Sequence, residues 1–353
     1  MGSSLLTSAF QLAILFTYVR ECSNEQVDVG FSKHSMSEYL KSKISRMYYL
    51  SDISKTEIGH HLGISRFRVS RLLEQAREDG IVQIQINEPI ATNTEIEEKL
   101  EKRFNLLLAI VVNPGDSTEK GIRRAVGVAA ADYLKNLLRD GDVFGITWGA
   151  TVDEVIRSLP SKIDRRIQVI QITGGLNQNA IDINPLDIVH RVAEIYGSTP
   201  YVLFAPAIVG NPATRDAMMQ DSSFRETIKM FSRVNIAISG VGAFSSSSDS
   251  YLQKAGYVTD EDINNLLGCG AVGDVFGHYF NIEGKTCSSD LEERTIGMNL
   301  DDLRKVRYTI GVAGGIHKTL AILGTLRGGL INTLVTDLAT ANDILEKDLI
   351  IPK

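Results

Sequence analysis

The stretch DISKTEIGHHLGISRFRVSRLLEQAREDGIVQIQI, Asp52 to Ile86, decides how the first part of this chain folds. Its spacing predicts a helix, a three-residue turn, a second helix carrying three arginines, and then an alternating strand, Ile81 to Ile86. Gly59 is small where two helices cross closely. Gly63 stands where the turn needs a positive φ, which glycine adopts at little steric cost. Ile58, Leu62, Ile64, Val69 and Leu72 recur at helical intervals on both sides of the turn, so each helix buries one face and frees the other.

The pattern is a helix-turn-helix, whose second helix lies in the major groove of DNA with its N-terminal residues at the base edges. Ser65 is placed to cap that helix. Arg66 and Arg68 follow in its first turn, with Ser70 and Arg71 next on the free face. Arginine bonds guanine through two donors or grips phosphate, and the residue types alone allow either role. The alternating strand suits a winged variant of the motif. The alternative, a helical hairpin with a solvated arginine face, requires the glycines, the turn and the apolar seam to agree in register by accident.

Charge limits how such a module binds. The 353-residue chain has a formal net charge of −6, which excludes a general nucleic-acid coat protein with a basic surface. Between Glu38 and Glu88 there are eight Lys or Arg against seven Asp or Glu, so the basic patch is local. Affinity for DNA is then expected to come from doubling that patch in an oligomer and to fall steeply with salt. Cys22, Cys269 and Cys287 lack metal or redox spacing, and an odd count of structural cysteines fits the reducing cytoplasm. No cofactor or metal is expected.

Residues 1–35 are read as an N-terminal extension. Leu5 to Val19 is mostly apolar but too short to span a bilayer, and no Lys or Arg precedes it, so neither a membrane anchor nor a secretory signal is expected. An extra helix, or an upstream start with Met36 as the natural beginning, accounts for it. Residues 36–89 form the DNA-binding domain, opened by a helix from Glu38 to Leu50. Residues 90–105 form a connector whose helix, Thr92 to Phe104, places Ile96 and Leu100 four apart and can pair with its copy in a dimer.

Residues 106–353 alternate strand and helix. Strands at Leu107–Val112, Val143–Thr147 and Gln168–Ile172 interleave with helices at Lys120–Leu138 and Val152–Leu159. The strands are nearly all apolar, which means a parallel α/β sheet covered on both faces, with ligands bound at the carboxyl ends of strands. Glycines collect in the loops there: Thr147-Trp148-Gly149-Ala150-Thr151, Thr173-Gly174-Gly175, Ser239-Gly240-Val241-Gly242, Gly270-Ala271-Val272-Gly273-Asp274 and Gly311 to Lys318. A glycine loop opening a helix brings backbone N–H groups and the helix dipole to a phosphate. Gly149–Thr151 adds a hydroxyl and Gly314–Lys318 adds a cation, although neither has dinucleotide or P-loop spacing. Each loop taken singly reads equally as a tight strand-to-helix turn; together they favour a phosphorylated small molecule.

The helix-turn-helix, the loops TWGATV, ITGG, GVGAF and GAVGD, and the tail VGVAGGIHKTLAILGTLRGGLINTLVTDLATA together resemble the SorC family of bacterial sugar-responsive transcription regulators, from about Glu38 to the end. The resemblance implies an effector domain similar to glucosamine-6-phosphate deaminase and ribose-5-phosphate isomerase that binds a phosphorylated sugar without catalysis. It also implies operator DNA as partner and a homotetramer built from two dimers. Carried over residue by residue, the phosphate sits on Gly149, Ala150 and Thr151 with Lys318 supplying charge. Asp274 bonds sugar hydroxyls, and Gln171, Gly174 and Gly175 line the opposite wall. Related regulators sometimes hold a sugar aldehyde on a lysine just before the second glycine pair; Gln168 to Thr173 contains none, so no covalent adduct is expected there.

An enzyme on the same fold is the alternative. Sugar-phosphate isomerases and deaminases need a carboxylate base and a partner acid, and Asp274 with His317 can imitate that pair. His60 and His61 are adjacent and point to different helix faces, which excludes the usual i, i+4 metal pair. A DNA-reading module joined to a ligand domain has a simpler use as a switch, so regulation without catalysis is the expectation.

Overall fold

The computed structural model describes residues 33–83, 93–175, 184–244, 256–287 and 289–352. The chain divides into two compact units, Met1–Glu88 and Pro89–Lys353.

In the first unit, α1 (Lys33–Tyr49), α2 (Lys55–Leu62) and α3 (Arg66–Glu78) enclose a small core of Ile44, Ile58, Leu62, Val69 and Leu73. Leu73 takes the buried place beside Val69, while Ile64 and Leu72 pack at its margin. Ser54 caps α2 reciprocally with Glu57: each side chain accepts the other residue's backbone N–H. Gly63 ends α2 at φ 65°, with its N–H returning to the Gly59 carbonyl. A Cβ on Gly59 would stand 2.7 Å from the Ile64 carbonyl oxygen. Gly59→Ala is therefore expected to pry the turn apart and cost about 1–3 kcal/mol. Calorimetry should show a lowered transition for this unit and an unchanged one for the other. Of the expected wing, residues 81–83 are not in a strand and Ile84 to Ile86 lie outside the described residues. The N-terminal extension lies almost wholly outside them too, apart from the start of α1.

The second unit runs α4 (Thr94–Phe104), β1 (Leu108–Val112), α5 (Glu119–Leu137), β2 (Val143–Ile146), α6 (Ala150–Ser158), β3 (Gln168–Gln171), α7 (Pro185–Ile195), β4 (Pro200–Tyr201), α8 (Pro212–Gln220) and α9 (Arg225–Phe231). There follow β5 (Ile236–Ala243), α10 (Asp260–Gly268), β6 (Ala271–Val275), β7 (His278–Asn281), α11 (Ser289–Arg294), α12 (Leu300–Leu303), β8 (Tyr308–Val312), α13 (Thr319–Arg327), β9 (Thr333–Asp337) and α14 (Leu338–Ile350). The main sheet has the order β1-β9-β8-β5-β2-β3-β4 with all its pairings parallel. Successive residues of a strand feed opposite faces. In β5, Ile236 and Ile238 join the core under α5, α6 and α7, whereas Ala237 and Val241 join the one under α13 and α14.

β5 is long enough to serve two sheets. Its first half pairs with β2 and β8, and its end, Val241 to Ala243, pairs antiparallel with β6. β6 and β7 form a hairpin through Phe276 and Gly277, both at positive φ (55° and 85°), the geometry that matches strand twist in two-residue turns.

The helix expected as the connector is α4 and packs against β1 within the second unit. Leu100 is fully buried, and the Glu97 and Glu101 carboxylates accept the outward backbone N–H groups of Val111 and Ala109 at 2.8 and 2.9 Å. Asn93 donates to the Val111 carbonyl at 2.7 Å. These side chains occupy the free edge of β1, which would otherwise invite another strand. Arg103 of α4 and Arg327 of α13 both bond the buried Asp348 of α14, at 2.5 and 2.7 Å, and Arg327 also reaches the Ile351 carbonyl at 2.6 Å.

The cysteine reading needs correcting. Cys269, which ends α10, and Cys287, after β7, are joined in a disulfide with Cα atoms 5.7 Å apart. Their spacing in sequence carries no hint of this, because the β6–β7 hairpin folds one back upon the other. Cys22 lies outside the described residues.

Candidate functional site

A cleft of about 990 Å³ opens at the carboxyl ends of β2, β5 and β8. Its floor holds Thr147, Ser239 and Asp274, and one side is formed by Gly149, Ala150 and Thr151 at the start of α6. Gly149 has φ 152° and ψ 160°, a conformation essentially confined to glycine, and no side chain caps the helix it precedes. The first N–H groups of α6 are thus left for whatever enters the cleft, and the positive end of the helix dipole favours an anion there.

Lys318 faces the cleft from the loop after β8. The final residues of the sheet hold that loop in place. Asp337, buried at the end of β9, accepts the Gly315 N–H at 2.8 Å together with the Thr340 N–H and hydroxyl. Thr340 Oγ1 lies a further 2.8 Å from the same Gly315 nitrogen. A Cβ on Gly314 would stand 2.7 Å from Asp337 Oδ2, so glycine is needed for the loop to close over it. This gives the tail motif Leu334-Val335-Thr336-Asp337 its physical role. Burial pushes the Lys318 ammonium below the usual lysine range, Arg123 acts in the same sense, and Glu119 and Asp274 oppose both.

Asp274 sits on β6, half-buried, with Oδ1 against Gly242, where a Cβ would come within 2.2 Å. Burial pushes its carboxyl up to about 6, against the pull of Lys318 and His278. It lines the cleft and forms no hydrogen bond or ion pair among the described residues. The hairpin that carries it is anchored below: Ser239 Oγ accepts the Phe276 N–H at 3.0 Å. His278 bonds Glu292 at 2.7 Å and the Met298 carbonyl at 3.0 Å.

The structure brings Gly149, Ala150, Thr151, Asp274 and Lys318 to one cleft, but Gln171, Gly174 and Gly175 do not line it. Gln171 is buried at 1% exposure and spends its amide inside the fold, donating to the Thr173 carbonyl at 2.8 Å and accepting from Leu203 N–H at 3.3 Å. Gly174 packs so closely on Pro206 that a Cβ would lie 2.3 Å from its carbonyl oxygen, while Gly175 exchanges backbone bonds with Ala205 and Ala207. The Gly174 carbonyl accepts the Trp148 indole N–H at 2.7 Å. The glycine pair thus orients the wall, and Thr173, Ala207, Ile208, Thr295 and Ile296 form its surface.

Two charged residues escaped the sequence reading. Glu119 and Arg123, paired at 2.8 Å in the opening turns of α5, line the cleft near enough to act on the Lys318 charge. Their only signal was position, four apart in a helix that follows a strand into the same carboxyl edge.

In the other unit, Ser65 Oγ accepts the Arg68 N–H at 3.2 Å and starts α3. Arg66, Arg68 and Arg71 are exposed, Ser70 is half-buried, and none of the three arginines forms an ion pair among the described residues. Among the described residues no group of His, Cys, Asp or Glu is placed to hold a metal ion, and no helix is long and apolar enough to cross a membrane.

Residues 88–346 match the sugar-binding domain family (Sugar-bind). The deoxyribonucleoside regulator of Bacillus subtilis is 32% identical over 308 residues, 87% of this chain and 97% of that protein. The sorbitol operon regulator of Klebsiella pneumoniae is 30% identical over 86% of this chain and 96% of its own length. The crystal structure of full-length SorC from that organism superimposes with a TM-score of 0.66, covering 88% of this chain and 100% of SorC at 30% identity. The chain belongs to the SorC family. As a SorC-family protein it is a DNA-binding transcriptional regulator with a sugar-binding domain, and not an enzyme. Asp274 and His317, readable from the sequence as acid and base in an isomerase, both line the cleft.

Proposed function

We propose that the cleft binds a phosphorylated sugar and that this binding controls how a homo-oligomer of the chain holds operator DNA. The phosphate lies on the N–H groups of Gly149, Ala150 and Thr151, with Lys318 opposite, and Asp274 accepts bonds from sugar hydroxyls. The uncapped start of α6, sharing its cleft with a desolvated ammonium, is the observation that carries the reading. Hydrogen bonds to ionised groups are roughly twice as strong as neutral ones, which suits a site selecting phosphorylated over free sugars. In α3, Arg66 and Arg68 stand at the helix start and Arg71 one turn later, Ser65 caps the helix and Ser70 flanks it. Those five residues contact the operator. A sugar phosphate that prefers one arrangement of the oligomer shifts its population, and operator affinity follows. The relatives' names, a deoxyribonucleoside regulator and a sorbitol operon regulator, agree with control by a carbohydrate.

Thermal unfolding of the full chain against a panel of sugar phosphates, free sugars and inorganic phosphate tests this reading. A cognate ligand at a hundred times its Kd adds about 2.7 kcal/mol. Stabilisation by free sugars as strong as by their phosphates would refute the phosphate assignment, and no stabilisation by any member would sink the effector site. For the output, Arg66→Ala and Arg68→Ala should each weaken binding to DNA selected from a random duplex library by about tenfold, at the scale of one lost base or phosphate contact. Both variants should keep their response to the sugar phosphate.

A further inference from the structure

Phe67, the second residue of α3, is 86% exposed, more than any other large hydrophobic side chain among the described residues. The helix buries Val69, Leu73 and Ala76, and at 3.6 residues per turn Phe67 points away from them, with Arg71 directly above it one turn on. It takes no part in the core of its unit, and the ring contacts found among the described residues are made by other aromatics. Arg66 and Arg68 flank it in sequence, both exposed. Further along, the same face turns acidic at Glu74 and Glu78, so only the opening turns of α3 suit a polyanion.

We infer that Phe67 is a base-reading residue that packs on the C5 methyl group of a thymine in the major groove. This rests on the reading of α3 as the operator-contacting helix. An exposed apolar ring on helix turns that also carry three exposed arginines, none ion-paired among the described residues, is wrongly surrounded for a protein interface, since burying those charges without partners is costly. The major groove matches it. Phosphates along the rims take the arginines, and the thymine methyl is the apolar group presented at the base edges. Phe67 confers preference for thymine at one position per half-site, while the arginines supply affinity and contacts to guanine or phosphate.

The experiment uses the full chain and duplexes selected from a random library. Each thymine of the selected half-site is replaced in turn by deoxyuracil, which removes the methyl group and leaves every hydrogen-bonding atom in place. At one position the wild-type chain should lose about fourfold in affinity, the scale of one buried methyl group. Phe67→Ala should bind the thymine duplex about as weakly as the wild type binds the uracil duplex and be indifferent to the exchange, while Arg71→Ala remains sensitive to it. An exposed side chain carries little folding energy, so the melting temperature of Phe67→Ala should match the wild type. Uracil without effect at every position, or Phe67→Ala as sensitive as the wild type, overturns the assignment. A change in oligomer mass by light scattering in Phe67→Ala assigns the ring to a protein interface and overturns it as well. Failure of the wild-type chain to select any DNA would instead overturn the operator-binding reading itself, and this inference with it.

Discussion

Lys318→Ala should weaken the binding of a sugar phosphate by about tenfold to a hundredfold, the loss of one or more hydrogen bonds to a charged group, and should abolish the thermal stabilisation seen at moderate ligand concentration. The effect is expected to be large because burial has already stripped water from this ammonium and drawn its protonation equilibrium downward. Beside it, a bound phosphate would add its negative charge to that of Glu119 and Asp274. The same environment makes the apo variant no less stable than the wild type, since it removes a desolvated charge. Binding measured by calorimetry and apo stability measured by denaturation should therefore move independently. Lys318→Arg retains charge but carries a larger, planar head, and should recover only part of the affinity. If Lys318→Ala binds the phosphate as well as the wild type, the anion does not sit between α6 and the loop after β8.

The portion of this fold that could be read in advance was the portion governed by local chemistry. Gly63 adopts positive φ, Gly59 marks the close crossing and Ser65 caps α3, because each answers to a rule that spans only a few residues. The parallel sheet was legible from uniformly apolar strands, since burial on both faces leaves no polar alternation. What stayed hidden depended on residues distant in sequence. Gln171 and the Gly174–Gly175 pair look like ligand-binding residues because glycine and amide side chains serve backbone packing and recognition equally well. In the structure Gln171 bonds Leu203 and Gly174 packs on Pro206, contacts that come from residues distant in sequence. The connector helix was legible from Ile96 and Leu100, but the way Glu97 and Glu101 accept backbone N–H groups of an edge strand is a pairing without any sequence signature.

That last point changes how a signal can travel. A free helix could bend or pair on its own, but α4 is held by β1 along its length and by Asp348 at its end. On the proposed function, a sugar phosphate that draws α6 and the loop after β8 together acts on the same unit that holds α4, and we propose that operator affinity then changes through the arrangement of subunits in an oligomer rather than through a change within the helix.

Asp274→Asn separates sensing from stability more sharply than any other single change. In the folded chain the carboxyl of Asp274 is pushed up to about 6, well above the range of an unfolded aspartate. Between those two values the folded state holds a proton that the unfolded state has lost, so stability falls as pH rises through that window and stays lower at neutral pH. Asparagine has no such titration. The variant should be at least as stable as the wild type at pH 7, should lose the advantage near pH 4, and should show a flatter stability profile between. Sugar binding should behave in the opposite way. The ionised carboxylate accepts from two hydroxyls where the amide offers one acceptor and two donors, so affinity should drop by about tenfold or more at pH 7. Wild-type affinity should itself decline as pH falls through about 6 and approach that of the variant. A variant that binds the sugar phosphate normally at pH 7, or a wild type whose affinity ignores pH in that range, would remove Asp274 from the hydroxyl-reading role.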